Sequence, residues 1–113
     1  MFEDAKHLSD TERAALAEIK TKVSALFDVR QYILFGSKAR GDASADSDVD
    51  LLILTGRRLE HRERHMISDI LTDVNLKYDT LFSFIAVDAA SWHSRLYHHY
   101  PIHIHVSREG IPV

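Results

Sequence analysis

The stretch G-S-K-A-R-G-D-A-S-A-D-S-D-V-D-L-L-I-L, from Gly36 to Leu54, decides the reading of this chain. A Gly-Ser pair follows the apolar run Tyr32-Ile33-Leu34-Phe35. After a ten-residue spacer, Asp48-Val49-Asp50 opens a second apolar run, Leu51 to Leu54. Side chains alternate faces along a strand, so Asp48 and Asp50 project from one face and Val49 from the other. Two carboxylates that close repel each other unless a cation lies between them. Oxygen-only donors suit Mg²⁺, which takes one or two carboxylates and completes its shell with substrate phosphates and water.

Gly36-Ser37, the spacer and Asp48-x-Asp50 resemble the signature of the DNA polymerase beta-type nucleotidyltransferases. The form Gly-Ser-x-Ala-Arg-Gly-Asp…Ser-Asp-x-Asp-Leu is similar to that of the minimal nucleotidyltransferases of bacteria and archaea, small proteins often paired with a HEPN-domain protein. The signature covers about a sixth of the chain.

The chain has 113 residues, the size of one domain with a single core, and the expectation is one nucleotidyltransferase domain over 1–113. Apolar content of 45% and charged content of 27% are ordinary for a soluble globular protein. A net charge of −3 argues against a broad nucleic-acid surface. No cysteine is present, which removes disulfides and thiolate metal sites. The acidic start Met1-Phe2-Glu3-Asp4 has no apolar signal core and no apolar run approaches spanning length, so a cytoplasmic protein without a membrane segment is expected.

In chain order, residues 1–8 read as a lead-in, and Ser9-Asp10-Thr11-Glu12 as a capping box. Leu16, Ile19, Val23, Leu26 and Phe27 recur at helical spacing and predict a helix over about 10–28. Val29–Phe35 reads as a strand, and its continuous apolar run Tyr32–Phe35 is expected of a strand covered on both faces. Gly36 allows a tight turn, and Ser37–Arg40 a short helix. Residues 41–47 are loop by composition, and a second strand is expected over about 49–55. Ile67, Ile70, Leu71 and Val74 mark one face of a helix over 59–76. Thr80–Val87 reads as a third strand, and 89–97 as a short helix with Trp92 and Leu96. From Pro101 to Gly110, strand-like alternation competes with helical punctuation. The resemblance favours a helix, because relatives commonly end in a similar Pro-Leu-x-x-x-Ile-x-x-Glu-Gly stretch. The expected fold is α/β (α+β), a small mixed sheet of three to four strands flanked by helices, which the resemblance identifies with the polymerase beta-like nucleotidyltransferase fold.

An antiparallel pairing of the first two strands puts both motifs at one sheet end. A helical crossover then makes strand three parallel to strand two. Asp79 thereby arrives where Asp48 and Asp50 stand, whereas Asp88 closes the far end, about 30 Å away at about 3.3 Å per residue.

The resemblance implies transfer of a nucleoside monophosphate from an NTP, with AMP from ATP the first expectation, to a hydroxyl. Asp48 and Asp50 would hold one or two Mg²⁺ ions, with Asp79 sharing the second and helping to deprotonate the acceptor. Gly36 and Ser37 would hold the β- and γ-phosphates, and Arg40 would neutralise phosphate charge, Lys38 less specifically. Ser47 belongs to the family pattern and reads as a residue that hydrogen-bonds the loop. Each has a plain alternative as a turn or solubility residue; the joint spacing favours function.

The histidines offer a competing story. His61 and His65 lie at i, i+4, but H-R-E-R-H lacks the glutamate immediately after the first histidine that a zinc-protease motif needs. His98, His99, His103 and His105 have no carboxylate or thiol that completes a zinc spacing.

So short a chain leaves little room for an acceptor-binding domain, so a partner holds the acceptor or is the acceptor. That agrees with the resemblance to antitoxins similar to enzymes that add AMP to a tyrosine of a HEPN ribonuclease. The alternatives are a catalytically silent binding module, which has no need of paired metal carboxylates, and an aminoglycoside-type nucleotidyltransferase subunit, whose relatives carry a C-terminal helical domain. A homo-oligomer is compatible with the histidine-rich tail.

Overall fold

The computed structural model describes residues 7–41 and 47–113. Its first helix, α1 (Asp10–Leu26), starts at the expected capping box. Glu12 N–H donates to the Ser9 hydroxyl at 3.1 Å, and Ser9 N–H donates to Glu12 Oε1 at 2.9 Å. β1 (Val29–Phe35), the one-turn helix α2 (Ser37–Arg40) and β2 (Val49–Thr55) follow as the pattern predicts. The loop expected over 41–47 falls largely on 42–46, and the lead-in over 1–8 largely on 1–6, both outside the described residues.

α3 spans His61–Tyr78, two residues later at each end than the apolar spacing suggests. Leu59 is buried ahead of the helix, and the start is set by Glu60, whose N–H donates to Glu63 Oε1 at 2.9 Å. β3 covers Phe82–Asp88, because Thr80 and Leu81 belong to the connection that Asn75 clasps. The Asn75 amide accepts from Phe82 N–H and donates to Phe82 C=O, each at 2.9 Å, and accepts from the Thr80 hydroxyl. The predicted helix over 89–97 divides into α4 (Ala89–Trp92) and a 3-10 turn at Tyr97–His99. Pro101–Glu109 is helical (α5), with proline in the first turn where its missing N–H costs nothing. Ile111–Pro112 forms β4, the fourth strand allowed for in the expectation.

The sheet order is β3-β2-β1-β4, with β1 antiparallel to β2 and β4, and β2 parallel to β3 across the α3 crossover. Alternation sorts the sheet into two faces. Leu34, Val49, Leu51, Ile53 and Phe82 pack with α1 and α3 residues such as Ile19, Val23, Ile67 and Val74. Ile33, Leu52, Leu54 and Val87 pack with Trp92 and Val106 on the other face, where Phe35 and Ile102 are partly buried. Burying each such side chain stabilises the fold by about 1.5–3 kcal/mol, so the pattern of faces leaves little freedom of register. Asp50 alternates onto the second face, which α4 and α5 cover only in part.

Glu18 ties α1 to the end of α3: it accepts from Lys77 at 2.8 Å and from the Tyr78 hydroxyl at 3.0 Å, and pairs with Lys22 at 2.9 Å. The Lys77 bond, then those from Lys22 and Tyr78, lower its pKa to about 2. A carboxylate depressed from 4.5 contributes stability in full above pH 4.5, and that contribution fades as pH falls towards 2. Glu18→Gln should therefore lower the melting temperature in the neutral region, with the difference from wild type shrinking as pH falls from 4.5 towards 2.

Candidate active site

The site is built where β1 ends and β2 begins. Phe35 and Asp50 are partners in the antiparallel ladder, so the turn after Phe35 passes directly beside the Asp50 side chain. Gly36 takes φ 79° and ψ −159°, a conformation open essentially to glycine alone. A Cβ at Gly36 would overlap Asp50 Oδ2. Glycine is thus required twice at one position, by the backbone and by the carboxylate lying against it.

Ser37–Arg40 make a single helical turn, with Ala39 and Arg40 N–H groups donating to Gly36 C=O at 3.1 Å. Gly41 ends the turn in the left-handed conformation. Within this turn the two cations go different ways. Lys38 is turned inward: it is 7% exposed and pairs with Glu12 Oε2 at 3.2 Å, which binds the turn to α1. The expectation that Lys38 neutralises phosphate gives way to this buried pair. Arg40 is exposed on the outer side and its guanidinium meets Glu109 Oε1 at 3.0 Å, joining α2 to the end of α5.

Asp48 is exposed just before β2, and Asp50, two residues later, is half-buried within it. Asp50 Oδ1 accepts from the Ser83 hydroxyl at 3.0 Å, because Asp50 and Ser83 are adjacent in the parallel β2–β3 ladder. Ser83 was not singled out from sequence; only the register between β2 and β3 reveals it. Asp79 ends α3 in the left-handed conformation, φ 56° and ψ 52°, with its N–H donating to Asn75 C=O. It lies at the expected sheet end and lines a cleft with Ser47, Lys38, Glu12 and Thr80, a lining that does not include Asp48 or Asp50. Among the described residues no three His, Cys, Asp or Glu side chains gather as a metal site. The structure therefore brings Gly36 against Asp50, with Ser37 next to Gly36 and Asp48 two residues before Asp50 along the chain, and sets Asp79 and Ser47 in a cleft whose lining includes neither Asp48 nor Asp50.

Asp88 has a capping role at the far end of β3: it accepts from Ser91 N–H at 3.0 Å, and that bond lowers its pKa. His61 and His65 meet edge to face on exposed α3, 4.8 Å between centroids. His103 stacks between Trp92, at 4.5 Å, and His98, at 4.4 Å; burial, then the nearby histidines His98 and His93, lower its pKa.

Residues 16–98 match the family model described as a nucleotidyltransferase domain. The chain is 40% identical over 70 residues to "Putative protein adenylyltransferase MJ0141" of Methanocaldococcus jannaschii, covering 60% of this chain and 71% of that protein. It is 29% identical over 82 residues to a second protein of that organism, "Putative protein adenylyltransferase MJ0604", covering 73% and 75%. Among solved structures, a toxin–antitoxin assembly with AMP-PNP superposes with a TM-score of 0.59 at 13% identity, covering 92% of this chain and 72% of that one. The toxin–antitoxin MntA–HpeT superposes with a TM-score of 0.57 at 15% identity, covering 89% and 70%. At those identities the two structures speak for the fold. No helix among the described residues is long and apolar enough to cross a membrane.

Two variants check the geometry. Gly36→Ala should cost about 1–3 kcal/mol in chemical denaturation, since the backbone conformation is denied to alanine and Asp50 must move. Lys38→Ala should cost about 3 kcal/mol or more by leaving the Glu12 carboxylate buried without its cation, while Lys38→Met/Glu12→Gln, which keeps an acceptor for Ser9 N–H, should recover much of that loss.

Proposed function

From the chain's membership of the nucleotidyltransferase domain family, and its nature as a nucleotidyltransferase, we propose that it transfers AMP from Mg·ATP to a hydroxyl of a partner protein, a tyrosine of a HEPN-type ribonuclease toxin. The observation that carries the reading is the Asp50 carboxylate lying against the Gly36 turn, with Asp48 two residues before it in the chain. This arrangement puts anionic oxygen donors next to the backbone that would receive a triphosphate. The donor set is all oxygen and two carboxylates strong, which fits Mg²⁺. The AMP-PNP present with the structural neighbour and the adenylyltransferase names of the sequence relatives support ATP as donor; the toxin–antitoxin neighbours support a toxin as partner.

In this reading Asp48 and Asp50 would hold the ion, which would supply charge neutralisation at the entering and leaving oxygens. Gly36 lets the backbone approach the phosphates, and Ser37 donates its hydroxyl and N–H to them. The acceptor oxygen forms its bond to the α-phosphorus as the bond to the bridging oxygen of the β-phosphate breaks. Pyrophosphate leaves, and the hydroxyl proton passes to a nearby carboxylate or water. Such chemistry depends on positioning and charge rather than covalent help from the protein. Arg40, whose guanidinium pairs with Glu109, would neutralise phosphate charge from the exposed side of the turn. Asp79 and Ser47 stand on the neighbouring cleft, so Asp79 is proposed to face the acceptor side and not the first ion.

Calorimetry with ATP, GTP, CTP and UTP should show Mg²⁺-dependent binding, strongest for ATP, that Asp48→Asn/Asp50→Asn abolishes and Asp79→Asn spares. Pyrophosphate should appear only when a cognate HEPN protein is added. A folded wild type that binds no nucleotide would instead make the chain a module acting by contact alone.

A further inference from the structure

β2 and β3 run parallel with Asp50 beside Ser83, and side chains at such adjacent positions on one face stand about 5 Å apart. Ser83 is the β3 residue whose side chain reaches Asp50, with its hydroxyl donating to Oδ1 at 3.0 Å. The other carboxylate oxygen, Oδ2, faces Gly36. Asp50 is thus fixed from both neighbouring strands: the hydroxyl of β3 holds one oxygen, and the turn after β1 limits the other.

We propose that Ser83 is a positioning residue for the metal-binding carboxylates, and that it fills with a neutral hydroxyl the one place on β3 where a third carboxylate would adjoin Asp50. This inference rests on the nucleotidyl-transfer reading. Two consequences follow from charge and geometry. Asp48 and Asp50 alone bring two negative charges, so a divalent ion binds weakly until the triphosphate supplies further oxygen donors. A hydrogen-bonding partner that orients a ligand sets the ligand's affinity for the ion, and its removal costs about 10–100-fold. The Ser83 bond is exposed, which puts its loss at the lower end and keeps it from carrying the fold. Asp79, held in the left-handed cap of α3 and on another cleft, does not supply the missing carboxylate at this place.

The test is Mn²⁺ binding followed by electron paramagnetic resonance, with and without a nonhydrolysable ATP analogue. It compares wild type, Ser83→Ala, Ser83→Thr, Ser83→Asp and Asp50→Asn, with melting temperatures alongside. Ser83→Ala is expected to weaken Mn²⁺ binding in the presence of the analogue about tenfold with an unchanged melting temperature. Ser83→Thr, which keeps the hydroxyl, should remain near wild type. Ser83→Asp should bind Mn²⁺ without nucleotide where wild type does not. If Ser83→Ala equals wild type while Asp50→Asn abolishes binding, the role of Ser83 is overturned and the transferase reading stands. If Ser83→Asp gains no metal affinity, position 83 is not a ligand position and that half of the proposal falls. A wild type that binds no Mn²⁺ with the analogue overturns the transferase reading and this inference together.

Discussion

Phe35 and Asp50 face each other across the β1–β2 ladder, and one step further the Asp50 carboxylate rests against the backbone of Gly36. This contact between a charged oxygen and a residue without a side chain organises the site. It requires the antiparallel register of β1 and β2, because a shift of one residue would send Asp50 to the face packed by α1 and α3. Leu34, Leu51, Leu52, Ile53 and Leu54, all but inaccessible to solvent, hold that register. A core of ordinary hydrophobic strength therefore fixes the place of a carboxylate that hydrophobicity alone would never put there.

The elements around the contact are tied to it by charge pairs with separate roles. Lys38 and Glu12 form a buried pair that fastens the turn to α1, and Glu12 at the same time completes the cap of that helix. Arg40 and Glu109 fasten the outer side of the turn to α5. One short turn thus communicates with the first and last helices of the described chain. The cost of burying Lys38 is offset only while Glu12 remains in place, so this pair specifies geometry more than it adds stability.

Much of this was legible in the residues. The Ser9–Glu12 box, the apolar run before Gly36 and the spacing from Ser37 to Asp48-x-Asp50 are local signals, and the elements they mark lie where expected. The crossover rule gave the parallel pairing of β2 and β3. What sequence left hidden depends on contacts between distant residues. The boundaries of α3 follow Glu60 and Asp79 caps that apolar periodicity does not weigh. The start of β3 follows the Asn75 clasp. β4 has only Ile111 and Pro112, too few for a pattern, and exists because β1 offers Ile33 and Leu34 as partners. Ser83 gains meaning only from its neighbour on β2, and Lys38 turns inward because Glu12 waits beneath it.

A crystal structure of the chain with Mg²⁺ and a nonhydrolysable ATP analogue tests the central claim most directly. The account predicts the ion bound by Asp48 and Asp50 and the triphosphate lying along the Gly36–Ser37 backbone, with the Ser83 hydroxyl still on Asp50. A nucleotide seated elsewhere, or an ion held without Asp50, would contradict it.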